Sequence, residues 1–180
     1  LAEWQSVWAY LERTDSKLLV PMVVRLEATS NHRERCEKAR NLLAKYAGEF
    51  RRLTGKEIVL LQPGADGTYL PMPGVAGDAE AYEKRWEYLL ASGRVVILPF
   101  TAEAARIVAE RGARRQPPQH NKKDNTNDTN VWLTLLATKD APAREIVFIS
   151  HDTSAFATGG ELHPGLRKEL GDSQIHFCLG

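Results

Sequence analysis

Glu145-Ile-Val-Phe-Ile-Ser150, followed at once by His151 and Asp152, is the stretch on which the fold of this 180-residue chain turns. A short apolar run rich in β-branched and aromatic residues reads as a buried strand. Working outward, Lys17-Leu-Leu-Val20, Arg94-Val-Val-Ile-Leu-Pro99 and Ile175-His-Phe-Cys178 repeat that character. Helical patterns lie between them. One starts at about Met22, after Pro21, and persists through Leu42, Leu43, Tyr46 and Phe50 to Gly55, with Thr29-Ser30-Asn31 marking a bend or a second N-cap. Others cover about Asp78 to Ala91, Thr101 as N-cap through Glu110, and roughly Asp128 to Thr138. Leu1, Trp4, Val7, Trp8 and Leu11 recur at helical spacing and read as a core stripe. Gln62 to Gly77 holds four glycines and three prolines and reads as a surface loop. Strands alternating with helices imply an α/β fold whose parallel sheet is covered on both faces.

A chain of this length with 43% hydrophobic residues suits one well-buried domain. Nothing approaches the ~20 apolar residues that span a bilayer. The opening Leu1-Ala-Glu-Trp segment is amphipathic and charged rather than a signal peptide, so the expectation is a soluble, cytoplasmic protein without membrane attachment. Cys36 and Cys178 are far apart and lack metal-ligand spacing, which argues against a disulfide framework or a zinc site. The formal net charge of +1 hides local polarity. Arg111, Arg114, Arg115, Lys122 and Lys123 form an acid-free basic loop, and residues 25–52 carry eight positive against four negative side chains. Each is either a solvated face or a phosphate-binding one.

Active sites of open α/β sheets lie outside the carboxyl ends of the strands. Three acids occupy such positions: Glu27 two turns into the helix after Val20, Asp128 at the start of its helix, and Asp152 directly after Ser150. Together they are the oxygen ligands a hard cation such as Mg²⁺ or Mn²⁺ prefers. Each also has a plain structural reading: Asp128 as an N-cap, Asp152 as a turn residue, Glu27 as an exposed helix acid. Asp124 and Ser150 are secondary candidates. Trp132 reads as core, while Thr126, Asn125, Asn127, Asn130 and His151 surround the site as turn or cap residues.

Asn121-Lys-Lys-Asp-Asn-Thr-Asn-Asp128-Thr-Asn-Val-Trp132, followed by Ile146-Val-Phe-Ile-Ser-His-Asp152-Thr-Ser-Ala-Phe156, resembles PIN domains, closest to a bacterial subgroup with Asp four residues before Trp. Leu162-His-Pro-Gly-Leu-Arg-Lys-Glu-Leu170 and Val20-Pro-Met-Val-Val-Arg-Leu-Glu27 extend the likeness over nearly the whole chain. The resemblance implies a PIN-like three-layer domain, a central parallel sheet flanked by helices. It implies a metal-dependent endonuclease using Mg²⁺ or Mn²⁺, with Glu27, Asp128 and Asp152 as catalytic and metal-binding acids. The implied substrate is RNA, single-stranded or structured, with DNA as the lesser choice. By their charge, Arg114, Arg115, Lys122 and Lys123 are candidates for phosphate contacts, and a second copy or a protein partner is compatible with the family.

The sequence departs from that pattern in two places. Ala155 stands where the subgroup has an Asp before Phe, and Asp152 where it often has an amide. The family's opening strand with its Asp has no counterpart here, so residues 1–180 are expected to be one PIN-like domain within a longer chain that supplies that strand upstream. A catalytically inactive PIN-like module binding nucleic acid or protein is the alternative. A receiver-like or nucleotide-binding domain fits less well, because no glycine-rich phosphate loop is present.

Overall fold

The computed structural model describes residues 2–57, 61–63, 69–71, 75–120, 124–139, 145–173 and 175–179. In chain order the elements are α1 (Ala2–Thr14), β1 (Leu18–Pro21), α2 (Met22–Thr54), β2 (Leu61–Pro63), β3 (Tyr69–Pro71), α3 (Val75–Ala91), β4 (Val95–Leu98), α4 (Ala102–Arg114), α5 (Thr126–Leu136), β5 (Ile146–Ser150), α6 (Thr153–Phe156), β6 (Ala157–Thr158), β7 (Glu161–Leu162), α7 (Pro164–Leu170) and β8 (Ile175–Leu179). The alternation of strands and helices makes this an α/β fold, consistent with a three-layer domain. Two compact units form, residues 1–18 with 26–96 and residues 19–25 with 97–180. No described helix is long and apolar enough to cross a membrane.

In the first unit Leu11 is buried and Trp8 half-buried, its indole N–H donating to Glu12 at 3.0 Å. Val7 is exposed, so the expected core stripe of α1 is only partly core; the side chains of Leu1 and Trp4 lie outside the described residues. α2 continues as one helix through Thr29-Ser30-Asn31, so no second N-cap forms there. The Thr29 hydroxyl donates to Glu83 of α3 at 3.1 Å, so it is engaged by another helix. Nearby, His32 stacks on Tyr82 with ring centroids 4.2 Å apart. The helix ends at Gly55, whose φ of 69° only glycine adopts freely. The supposed structureless loop from Gln62 to Gly77 is corrected in part: β2 and β3 pair antiparallel, Leu61 opposite Pro71 and Pro63 opposite Tyr69. Prolines at strand ends are compatible with such a short ladder.

β1 pairs with β4, and the Leu18 N–H donates to the Arg94 carbonyl at 2.8 Å. In the second unit β5 and β8 are parallel, with Ile146 opposite Ile175 and Phe148 opposite Phe177. Those four side chains pack on a core of Trp132, Leu135, Ala155, Phe156, Leu162, Leu166 and Leu170. Burying each large apolar side chain here contributes roughly 1.5–3 kcal/mol. Because strand side chains alternate, Val147 and Ile149 face the other way, and they are 50% and 64% exposed.

The last strand, β8, lies where Ile175-His-Phe-Cys178 was expected, but the elements between β5 and β8 were not assigned from the sequence. β6 and β7 form a tight hairpin across Gly159 and Gly160, both at positive φ (63° and 86°), as the right-handed twist of a two-residue turn requires. α7 begins with Pro164, where a missing N–H costs nothing, and His163 caps it by accepting the Gly165 N–H at Nδ1 (3.0 Å). Burial, together with the ring of His120 at 4.8 Å, holds the His163 imidazole below its ordinary pKa.

Candidate active site

Asp128 is positioned by the start of α5. That helix begins two residues earlier than its apolar pattern suggests, at Thr126, with Asn125 as the N-cap residue. Asp128 is therefore not the cap but the acid of the first turn, where the positive end of the helix dipole favours a carboxylate. It is half-buried. Two neighbours fix the turn: the Thr129 hydroxyl donates to the Asn125 carbonyl (2.9 Å), and Asn125 Nδ2 donates to the Pro118 carbonyl (2.8 Å). Just before the helix, Asp124 accepts the Thr126 hydroxyl (2.6 Å) and backbone N–H (3.1 Å). Those bonds hold its exposed carboxyl below the usual carboxylate range.

Asp152 follows β5 directly and is exposed. Its Oδ1 accepts the backbone N–H groups of Ser154 (2.9 Å) and Ala155 (3.0 Å) and the Ser154 hydroxyl (2.7 Å), which makes it the N-cap of α6. Ser150 Oγ in turn accepts the Asp152 N–H at 3.1 Å. The plain structural role anticipated for Asp152 is thus realised, and it fixes the orientation of the carboxylate.

One aromatic cluster links the two acids' elements. The Trp132 ring, one turn beyond Asp128, lies 6.2 Å from Phe148 of β5 and 6.5 Å from Phe156 of α6, while Phe148 and Phe156 are 5.1 Å apart edge to face. The helix that carries Asp128 and the strand that leads to Asp152 share this core. Glu27 is exposed on α2 and belongs to the first unit, whereas Asp124, Asp128, Ser150 and Asp152 belong to the second.

The basic segment is not one loop. Arg111 and Arg114 belong to α4, and Arg115 ends that helix in a left-handed conformation (φ 50°). Arg114 and Arg115 are exposed, as phosphate contacts need; Lys122 and Lys123 lie outside the described residues. Arg111 is corrected outright: it is buried, donating from Nη2 to Glu169 Oε2 and from Nη1 to the Pro117 carbonyl, each at 2.6 Å. Trp132 Nε1 donates to the same Glu169 oxygen at 2.9 Å. Glu169 escaped notice in the sequence. Its signal was helical spacing, since it falls three residues after Leu166 and one before Leu170, both buried.

Among the described residues no three His, Cys, Asp or Glu side chains gather as a ready metal group. The candidate acids of the second unit, Asp124, Asp128 and Asp152, offer only carboxylate oxygen. That chemistry fits Mg²⁺ or Mn²⁺, and Mg²⁺ is commonly held by one or two carboxylates, with water and substrate phosphate completing the shell.

A family model described as PIN domain matches residues 2–156, a span that includes Glu27, Asp128 and Asp152. No curated protein and no solved structure matches the chain. With the α/β fold and the acids at element ends already in place, a match over most of the sequence is decisive for ancestry: the chain belongs to the PIN-domain family, whose members are usually nucleases and generally use divalent metals.

Proposed function

We infer that residues 1–180 act as one PIN-like domain that hydrolyses phosphodiester bonds as a metal-dependent endonuclease, with single-stranded RNA as substrate. The observation that carries this reading is the placement of Asp128 in the first turn of α5 and Asp152 at the end of β5, on elements joined by the Trp132–Phe148–Phe156 core. Asp128 and Asp152 would hold Mg²⁺ or Mn²⁺, and Glu27 would ligate directly or orient a water. A bound divalent ion supplies Lewis-acid stabilisation of the charge that builds on phosphorus-bound oxygen and makes a coordinated water more acidic. The protein's own part is orientation. The α6 cap orients Asp152, and Asp128 stands in the first turn of α5, where the helix dipole favours a carboxylate. Arg114, Arg115, Lys122 and Lys123 would grip the phosphate backbone without reading sequence. A cytoplasmic location and self-association fit this reading.

The second reading, an inactive module that only binds nucleic acid or protein, is favoured by the lack of a three-residue metal group among the described residues. Incubation of labelled single-stranded RNA with the chain and Mn²⁺ or Mg²⁺ separates the two. The nuclease reading expects internal cleavage that EDTA stops and added metal restores, with slower cutting of the matching DNA. RNA that is bound yet stays intact across the metal titration would install the binding module instead.

A further inference from the structure

A polar cluster of Arg111, Glu169 and Trp132 links α4, α5 and α7. Glu169 Oε2 accepts two donors at once, Arg111 Nη2 and Trp132 Nε1. The Arg111 and Glu169 side chains are only 10% and 34% exposed. Arg111 also holds the Pro117 carbonyl, and Asn125 holds that of Pro118, so α4, α7 and the start of α5 are tied to one short stretch of chain. Aromatic packing against Phe148 and Phe156 presses α5 onto the core but is nearly indifferent to a small roll about the helix axis. The Trp132 Nε1–H bond to Glu169 is directional and forbids such a roll.

Asp128 lies four residues before Trp132, on nearly the same helical face. At a side-chain radius of about 5–6 Å, a roll of about 20° would carry the Asp128 carboxylate about 2 Å. That is enough to spoil a metal–oxygen distance.

We propose that Glu169, clamped by Arg111, is a positioning residue for Asp128, setting the rotation of α5 through Trp132 and thereby the metal affinity of the site. This rests on the reading of Asp128 as a metal ligand. The test follows Mn²⁺ binding to the chain, without RNA, by electron paramagnetic resonance, with far-ultraviolet circular dichroism to verify folding. Asp128→Asn sets the scale by weakening binding sharply. Glu169→Leu, which removes the acceptor, should raise the Mn²⁺ dissociation constant by about 10–100-fold, the range typical of residues that orient ligands. Glu169→Gln keeps an oxygen for the Trp132 N–H and should remain within a few-fold of the starting chain. Trp132→Phe keeps the ring and loses only the donor, so it should follow Glu169→Leu and decides the matter if that variant fails to fold. Folded Trp132→Phe protein with unchanged affinity, beside a weakened Asp128→Asn, would overturn the positioning role and leave the metal site standing. Asp128→Asn binding Mn²⁺ as well as the starting chain would overturn both.

Discussion

Asp128→Asn should lower the rate of RNA cleavage by about 10²–10³-fold, the scale of losing one preorganised electrostatic group in an active site. The substitution preserves side-chain volume and removes the charge. It leaves the cap of α5 alone, because Asn125 occupies that position and Asp128 lies within the first turn. Losing the carboxylate's interaction with the helix dipole costs about 0.3–1 kcal/mol, and the variant should still unfold cooperatively in urea. Loss of activity with the fold retained is the signature of a metal ligand. Single-turnover rates over a Mn²⁺ titration check it, and a variant cutting at the parent rate throughout would remove Asp128 from the chemistry.

Trp132→Ala should be the most damaging single change to the second unit, costing about 3–5 kcal/mol, as large-to-small substitutions at buried aromatic positions do. Trp132 is fully buried and contacts Phe148 and Phe156. Removing it opens a cavity between α5 and β5 and takes one of two donors from Glu169, while Arg111 stays paired. Urea unfolding followed by circular dichroism reads the effect as a lower midpoint. A loss under about 1 kcal/mol would mean that the site relaxes around the gap and that the aromatic core is not what joins α5 to β5.

Much of this architecture was legible in the sequence for identifiable reasons. β5 and β4 are short apolar runs, α4 is announced by Thr101, which caps it as expected through the Ala104 N–H (3.1 Å), and α2 is bounded by Pro21 and Gly55. The basic segment was harder, because charge alone does not reveal burial. Arg111 looks like its neighbours until Glu169, 58 residues away, is folded against it. The β2–β3 pair was hidden by glycine and proline content, since a three-residue ladder depends on backbone pairing rather than side-chain pattern. The two faces of β5 were hidden too: Val147 and Ile149 are as apolar as Ile146 and Phe148, and only packing distinguishes them. In the candidate site, the placing of Asp128 and Asp152 at element ends was legible from apolar patterning. The role of Asp152 as a cap, with three donors on one oxygen, depends on the turn that follows and was readable only as one of two alternatives.

The central claim is that carboxylates of this chain hold a divalent cation, and its most direct measurement is the anomalous scattering of Mn²⁺ in crystals of the protein. The account predicts a peak about 2.0–2.6 Å from carboxylate oxygens of Asp128 and Asp152. A peak only at unrelated acids, or none at Mn²⁺ concentrations that support cleavage, would contradict it.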